Sequence, residues 1–482
     1  MRQLLAKLHA RLGDFWWYSL MLFCACRAAD LLNAFVGLWL VPKYVDPSEL
    51  GAVMPLTQFA NCLAIPVAAF ANTFRNELTR LSINKEFGKL KTLMRGVFIA
   101  TAVFLFLAII VARFVLPAFL ERIRIVEGSL GVIIIAASFV GAVAPIYSNA
   151  LQALKKFKAQ SILSIVGAPI RLLAMLVAMP FRAITGYFVG QASTPAFSIA
   201  ASVFALREEL SAKAAPYWTR ETVKKFSALL AVFIGWGVST GFCGLVESTV
   251  IRQRLPDLDS AGYYMATRFS EIATYLYSAM IFAFFPFAAD LAKNSREHAK
   301  LILKTTGVNL AFCAAIALVF GLVARPLLAF LPNGEKYEAY WWAVPWLIAI
   351  TGVASLHGFY TTAEVAANRF GFLKWTIPLD LAYPALILAV TGHGYFAGLM
   401  PESWSTFLKA HNIYSLETML WWMTAINAAK AAGCLLSMPA GSLSMPAGGI
   451  DLPTDPVGSD APPAGASKGP VGSAAPPAGA AT

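Results

Sequence analysis

The sequence predicts an all-α polytopic membrane protein with about twelve transmembrane helices, arranged as two parallel-related six-helix bundles around a central cavity. Of its 482 residues, 58% are hydrophobic and only 13% are charged, whereas soluble domains carry roughly 25% charged residues. The apolar residues fall into segments of about 20, the length that crosses the hydrocarbon core as a helix. Two stretches of the chain also repeat each other, which predicts two equivalent halves.

The internal repeat has a constant offset of 211 residues and no gap. Matched loop residues carry more weight than matched apolar residues, which coincide by chance. Such a duplicated apolar chain is typical of transporters whose halves move around a shared cavity. The matching residues are Asp46, Gly51, Met54, Ala68, Phe74, Glu86, Lys89, Leu90, Gly96, Val97 and Ala100, which recur as Asp257, Gly262, Met265, Ala279, Phe285, Glu297, Lys300, Leu301, Gly307, Val308 and Ala311.

Six predicted spans lie in each half. Those of the first half are 15–41, 50–74, 96–118, 129–152, 160–180 and 185–206, and those of the second are 227–250, 261–288, 302–324, 340–363, 373–392 and 416–436. An even number of spans per half makes the halves parallel rather than inverted. We therefore predict a first bundle over 1–222, a second over 223–436 and a tail over 437–482.

Basic residues alternate from loop to loop along the chain. They are dense at 75–95, 155–158, 207–225 and 293–304 and sparse in the intervening loops. The positive-inside rule then places both termini in the cytoplasm. The net charge of +12 is thereby explained by topology and by contacts with membrane lipids, and no nucleic-acid partner is expected.

Residues 437–482 repeat Pro-, Gly- and Ala-rich phrases that bury too little apolar surface to fold, so we expect a disordered cytoplasmic tail. The six cysteines lie within predicted spans without zinc spacing. No P-loop, GxSxG or HExxH motif is present. We expect no enzyme activity, no cofactor and no metal.

Ionisable residues inside the spans are the candidate functional groups, because each costs roughly 2.5–3.5 kcal/mol at a helix centre. Arg27 and Asp30 lie three residues apart in the first span, and Arg268 and Glu271 repeat that spacing in the eighth. Each pair is either a local ion pair that makes insertion tolerable or part of a cavity. The sequence leaves both readings open.

Arg171, in the fifth span, has no acid within a helical turn, which favours a cavity role. With Arg27 and Arg268 it could form an anion-binding chamber, since guanidinium groups match phosphate oxygens. Candidates for ion coupling are the acids Asp30, Glu247, Glu271 and Asp380. For Glu247 and Asp380 a satisfied polar contact is the alternative. Glycines at 235, 237, 241 and 244 indicate a seventh helix that neighbours approach closely.

Five segments of the chain carry a resemblance to a known family. They are LVPKYVDPSELGAVMPL, FRNELTRLSINKEFGKLKTL, LQALKKFKAQSILSIVGAPIRLL, RLPDLDSAGYYMATRFSEIATYLYSAMIFAFFPFAADLAKNS and ARPLLAFLPNGEKYEAYWWAVPWL. These segments resemble the Wzx-type lipid-linked oligosaccharide flippases of the multidrug/oligosaccharidyl-lipid/polysaccharide (MOP) superfamily. The resemblance covers about residues 10–392.

The resemblance implies two six-helix bundles around a cationic cavity. It also implies a transporter that moves a polyprenyl-diphosphate-linked oligosaccharide across the bacterial inner membrane by alternating access. This transport would serve surface polysaccharide biosynthesis. The family's intramembrane arginines map onto Arg27 and Arg268 by position. Polysaccharide polymerase or glycosyltransferase partners would be expected. The alternatives are a cation-coupled multidrug exporter of the same superfamily and a non-transporting cell-envelope assembly scaffold.

Overall fold

The computed structural model describes residues 27–125, 130–154, 156–291, 295–366, 370–390 and 415–437. Within those ranges the chain forms twelve long helices, one for each predicted span. They are α1 (27–44), α2 (Val53–Ile83), α3 (Phe87–Arg122), α4 (Leu130–Ala153), α5 (Phe157–Ala178), α6 (Ala183–Ala205), α7 (Arg220–Arg254), α8 (Asp257–Leu291), α9 (Ser295–Phe330), α10 (Ala343–Ala366), α11 (Leu373–Val390) and α12 (Leu416–Ser437).

The described helices confirm the all-α polytopic fold class. Eight of the spans found in the described residues are long and apolar enough to cross a membrane. The four cysteines in these ranges, Cys62, Cys243, Cys313 and Cys434, are free thiols. Cys24, Cys26 and the predicted tail from residue 438 onward lie outside the described residues.

Several helices are longer than their predicted spans. The third span, predicted over 96–118, is a helix of 36 residues, Phe87–Arg122, and the seventh, Arg220–Arg254, has 35. At 1.5 Å per residue each is about 50 Å long, against about 30 Å of hydrocarbon. The hydropathy pattern marks only the apolar part, because helical hydrogen bonding continues through the charged ends.

The seam between the halves runs along α2 and α7, and glycines allow the two helices to approach closely. A Cβ on Gly237 would lie 2.7 Å from Ile65 Cγ2, and one on Gly244 would lie 3.4 Å from Gln58. The close approach predicted for the glycine-rich seventh span is therefore confirmed, except at Gly235, which has open space beside it.

Buried apolar side chains of both halves form one large cluster at one end of the described structure. Around Asp46 and Asp257 this cluster contains residues such as Leu50, Leu120, Tyr264 and Val344. We call this the joined end. At the opposite end, which holds the basic segments, the described residues form one cluster around α2–α4, which also includes Phe226 of α7, and a separate one around α9–α12. We call this the split end. The halves therefore share a large apolar cluster at the joined end, whereas at the split end α7 connects the second half to the cluster around α2–α4.

Reciprocal hydrogen bonds link the halves at the joined end. Asn333, after α9, donates to the Pro42 carbonyl at 2.8 Å, and Arg124, after α3, donates through Nη2 to the Gln253 carbonyl at 3.1 Å. The two donors share a left-handed backbone, with φ of 57° and 62°. The acceptors Pro42 and Gln253 are related by the 211-residue repeat offset. Each half therefore donates a hydrogen bond to the repeat-equivalent carbonyl of the other half.

Asp257 is the charged centre of the joined end. It accepts from Arg124 Nη1 at 2.8 Å and from Arg252 Nη1 at 2.9 Å, and Arg252 also donates to the Ile123 carbonyl at 3.1 Å. Arg252 is 2% exposed. The repeat counterpart Asp46 instead caps the turn Pro47–Leu50, and hydrogen bonds from Ser48 lower the pKa of its carboxyl group.

Replacing Asp257 with Asn should destabilise the protein. The buried Arg252 would lose its carboxylate partner, which costs about 3 kcal/mol in a buried pair. Because Asp257 is 40% exposed, water screens part of this, and we expect a loss of roughly 1–3 kcal/mol. Thermal unfolding of the detergent-purified protein measures the change.

The matched control is Glu338→Gln, which breaks the ion pair of Glu338 with the 68% exposed Arg325. That change should cost at most about 0.5 kcal/mol. Equal melting temperatures for the two variants would contradict a structural role for Asp257.

Candidate functional site

A cavity of about 370 Å³ lies between the halves, near the middle of the helices. We call it the interhalf cavity. The first half contributes side chains from α1, α2, α5 and α6, and the second half contributes three residues of α8. The lining residues are Asn33, Val36, Gly37, Met54, Thr57, Gln58, Asn61, Arg171, Tyr187, Gln191, Arg268, Glu271 and Tyr275. Two of the three predicted arginines, Arg171 and Arg268, are therefore brought together in one cavity.

Arg268 is positioned by a local irregularity in α1. Residues Val36–Leu40 form a π-helical turn, a feature frequent at functional sites. Its Gly37 lies against the Arg268 side chain, and a Cβ there would be 2.8 Å from Arg268 Cδ. The guanidinium group lies over the Tyr264 ring, 4.7 Å from its centroid, and pairs with Glu271 at 2.8 Å. The predicted intrahelical pair therefore forms, and it forms at the cavity wall.

Arg171 has a neutral partner. Its Nη1 donates to the Asn33 Oδ1 atom at 2.8 Å, and its buried Nε has no hydrogen-bond partner in the described part of the chain. No ion pair of Arg171 is present among the same residues. The charged lining residues of the interhalf cavity are Arg171, Arg268 and Glu271. The cavity wall therefore carries one excess positive charge.

Arg27 takes a different position from the other two arginines. It pairs with Asp30 at 3.1 Å, as the spacing predicts, and its Nη1 donates to the Tyr275 carbonyl across the seam. Tyr275 lines the interhalf cavity, whereas Arg27 is not one of its lining residues. Arg27 therefore links α1 to α8 beside the cavity.

The three coupling candidates of the second half lie in different places, and Glu271 is the one that lines the interhalf cavity. Asp380, which is 1% exposed, forms an ion pair with Lys430 of α12 and accepts from Thr240 at 3.0 Å. Asp380 and Lys430 line a cavity of about 630 Å³, the Lys430 cavity, together with Trp236, His357 and Asn427. Glu247 accepts a hydrogen bond from the Tyr263 hydroxyl at 2.9 Å.

Sequence reasoning did not single out Lys430, Tyr275, Tyr187 or Gln191. The signal for Lys430 was a basic residue in the twelfth span without an acid one turn away. Its partner Asp380 is 50 residues distant on α11, and only packing brings the two together. Among the described residues, no group of three His, Cys, Asp or Glu side chains is placed to hold a metal ion.

No protein-family model matches the chain, and no curated protein matches it significantly. Solved structures do match. An inward-facing MATE family multidrug resistance transporter of the MOP superfamily superposes with a TM-score of 0.59 at 10% identity, over 85% of this chain and 92% of that one.

Two further structures show the same likeness. A MOP superfamily transporter from Pyrococcus furiosus has a TM-score of 0.59 at 11% identity, covering 88% of this chain and 95% of that one. The lipid II flippase MurJ, in an inward closed conformation, has a TM-score of 0.56 at 12% identity, covering 87% of each chain. The chain has the fold of MOP superfamily transporters. At these identities the likeness shows the fold alone.

Removing the charge of Lys430 should destabilise the protein. Lys430→Met leaves the buried Asp380 carboxylate without its cation, at a cost of about 3 kcal/mol. The double variant Asp380→Asn/Lys430→Met removes both charges and should recover most of that loss. Denaturant unfolding of the wild type, Asp380→Asn, Lys430→Met and the double variant forms a double-mutant cycle, which gives the coupling energy between the two residues.

Lys304→Met, at an exposed lysine of α9, is the control for loss of a lysine charge. Additive effects of the two single changes at Asp380 and Lys430 would contradict the ion pair.

Proposed function

We propose that this protein moves a polyprenyl-diphosphate-linked oligosaccharide across the bacterial inner membrane by alternating access. The observation that carries the proposal is the interhalf cavity, which is lined by Arg171 of one half and Arg268 of the other. The diphosphate would bind these arginines, the glycan would occupy the aqueous space, and the lipid tail would stay in the bilayer.

The chemistry of the two arginines favours an anion. An arginine has five N–H donors and no acceptor. Arg171 gives one bond to Asn33, and the described residues leave its Nε unpartnered, as they do for Arg268 Nε. These donors lie where low dielectric strengthens attraction to phosphate oxygens.

The arrangement of buried clusters supports alternating access. The halves share one large apolar cluster at the joined end, whereas at the split end the clusters around α2–α4 and around α9–α12 are separate and α7 contributes Phe226 to the first of them. With both termini in the cytoplasm, the split end would face inward, and the cavity would receive its substrate from that side. Proton or cation binding at Asp30, Glu247, Glu271 or Asp380 could drive the return step.

A cation-coupled multidrug exporter is the main alternative, because MATE transporters share the fold. The charges of the cavities favour the flippase. Glu271 is paired with Arg268, and Asp380 is paired with Lys430. A cationic drug would therefore meet no free carboxylate among the described residues of either cavity. The Pyrococcus furiosus transporter was described with a binding pocket of reverse polarity, so the fold itself does not fix the sign of the ligand.

Reconstituted vesicles test the proposal. The wild type should move a labelled polyprenyl-diphosphate saccharide between leaflets, measured by access of an added glycosidase to the sugar. Arg171→Gln should slow this about 10- to 100-fold, since a charge-assisted hydrogen bond contributes about 1.5–3 kcal/mol. Arg171→Lys should retain part of the rate, because it keeps the charge but loses the planar fork.

Arg325→Gln is the matched control, since Arg325 is exposed, is paired with Glu338 and does not line the interhalf cavity. It should leave the rate unchanged. Full activity of both Arg171→Gln and Arg268→Gln would refute the role of the cavity. Drug resistance on overexpression without lipid translocation would favour the exporter, and loss of function on removing 437–482 alone would favour a scaffold.

A further inference from the structure

A second polar cavity, of about 260 Å³, lies within the first half between α1, α4, α5 and α6. We call it the serine cavity. It differs from the interhalf cavity because all of its lining residues belong to the first half, and its polar lining includes six uncharged hydroxyl and amide side chains. These are Ser148, Gln160, Ser164, Thr194, Ser198 and Ser202.

Three of these hydroxyls are uncommitted. Helical serines usually bond a carbonyl one turn back, as Ser193 does with Gly190 at 2.7 Å. The hydroxyl groups of Ser164, Ser198 and Ser202 make no hydrogen bond within the described part of the chain. Gln160 donates to Ser148 at 3.1 Å, while its buried Oε1 has no partner among those residues. The cavity therefore offers unused donors and acceptors to a ligand.

The charges of the serine cavity argue against a cation as that ligand. Its carboxylate, Asp30, is paired with Arg27 at 3.1 Å, and Arg171 adds a positive charge to the wall. Hard cations bind preferentially at carboxylate-rich oxygen sites. A neutral ligand with many hydroxyl groups matches the lining better.

The serine cavity adjoins the proposed diphosphate site. Arg171 and Asn33 line both cavities and are hydrogen-bonded to each other at 2.8 Å. A group bound here would lie directly beside an anion held by Arg171. The volume corresponds to roughly nine water molecules of about 30 Å³ each, close to the size of a single sugar ring.

We propose that the serine cavity binds the sugar ring attached directly to the diphosphate of the substrate, while the interhalf cavity binds the diphosphate itself. This inference rests on the proposed function. It makes the first half responsible for selecting the first sugar. The rest of the glycan would extend into the space between the halves.

Binding of two lipids to the protein in nanodiscs separates the two cavities. One lipid is a polyprenyl diphosphate carrying a single hexose, and the other is the same polyprenyl diphosphate without sugar. Ser164→Ala/Ser198→Ala should weaken binding of the glycosylated lipid about tenfold, since two neutral hydrogen bonds are lost. Binding of the sugar-free lipid should change less than about twofold. Arg171→Gln should weaken both.

Ser193→Ala is the matched control. Ser193 lies in the same helix as Ser198, its hydroxyl donates to the Gly190 carbonyl, and it does not line the serine cavity. It should bind both lipids as the wild type does. Equal binding of the glycosylated lipid by wild type and the double serine variant, or an equal loss for both lipids, would overturn the sugar subsite alone. Failure of the wild type to bind either lipid would overturn the proposed function as well.

Discussion

Charged groups in a low-dielectric interior must find partners, and this constraint organises the helices. An unpaired charge buried away from water costs several kcal/mol, and the protein meets that cost with pairs inside a helix, such as Arg268–Glu271, and between helices, such as Lys430–Asp380. Arg252 and Asp257 form a further ion pair at the joined end. Arg171 departs from it, because an amide oxygen is its described partner. A cationic group held without a carboxylate is the arrangement expected where a ligand supplies the negative charge.

The two ends of the molecule are built differently, and the difference has a physical basis. At the joined end, apolar side chains of both halves pack together, and the bonds of Asn333 and Arg124 to Pro42 and Gln253 hold the same position of each half. Reciprocal bonds of this kind break together when the halves separate, which makes separation cooperative. At the split end the clusters around α2–α4 and around α9–α12 are separate, and Phe226 of α7 belongs to the first of them. The halves therefore share less buried apolar surface there than at the joined end.

The sequence predicted the helices well and the site in part. Twelve apolar segments gave twelve helices, because hydropathy directly reports the cost of placing residues in lipid. Helix ends were missed by up to nine residues, as at Phe87, because charged residues at the membrane surface remain helical. The Arg268–Glu271 pair followed from spacing within one helix. The pairing of Lys430 with Asp380, and the π-helical turn that brings Gly37 against Arg268, depend on packing between distant segments. No local pattern encodes such contacts.

The division of the interhalf cavity between two halves links binding to conformation. Arg171 belongs to the first half and Arg268 to the second, so movement of the halves changes the distance between the guanidinium groups. A ligand shifts a conformational equilibrium only through a difference in its affinity for the two states. A diphosphate that contacts both arginines has such a difference, because it bonds them together only at one spacing. A ligand that contacts the serine cavity alone has none, since α1, α4, α5 and α6 would move as one body. Under the proposed function, the phosphate groups would drive the change of state, and the sugar would decide which lipid is carried.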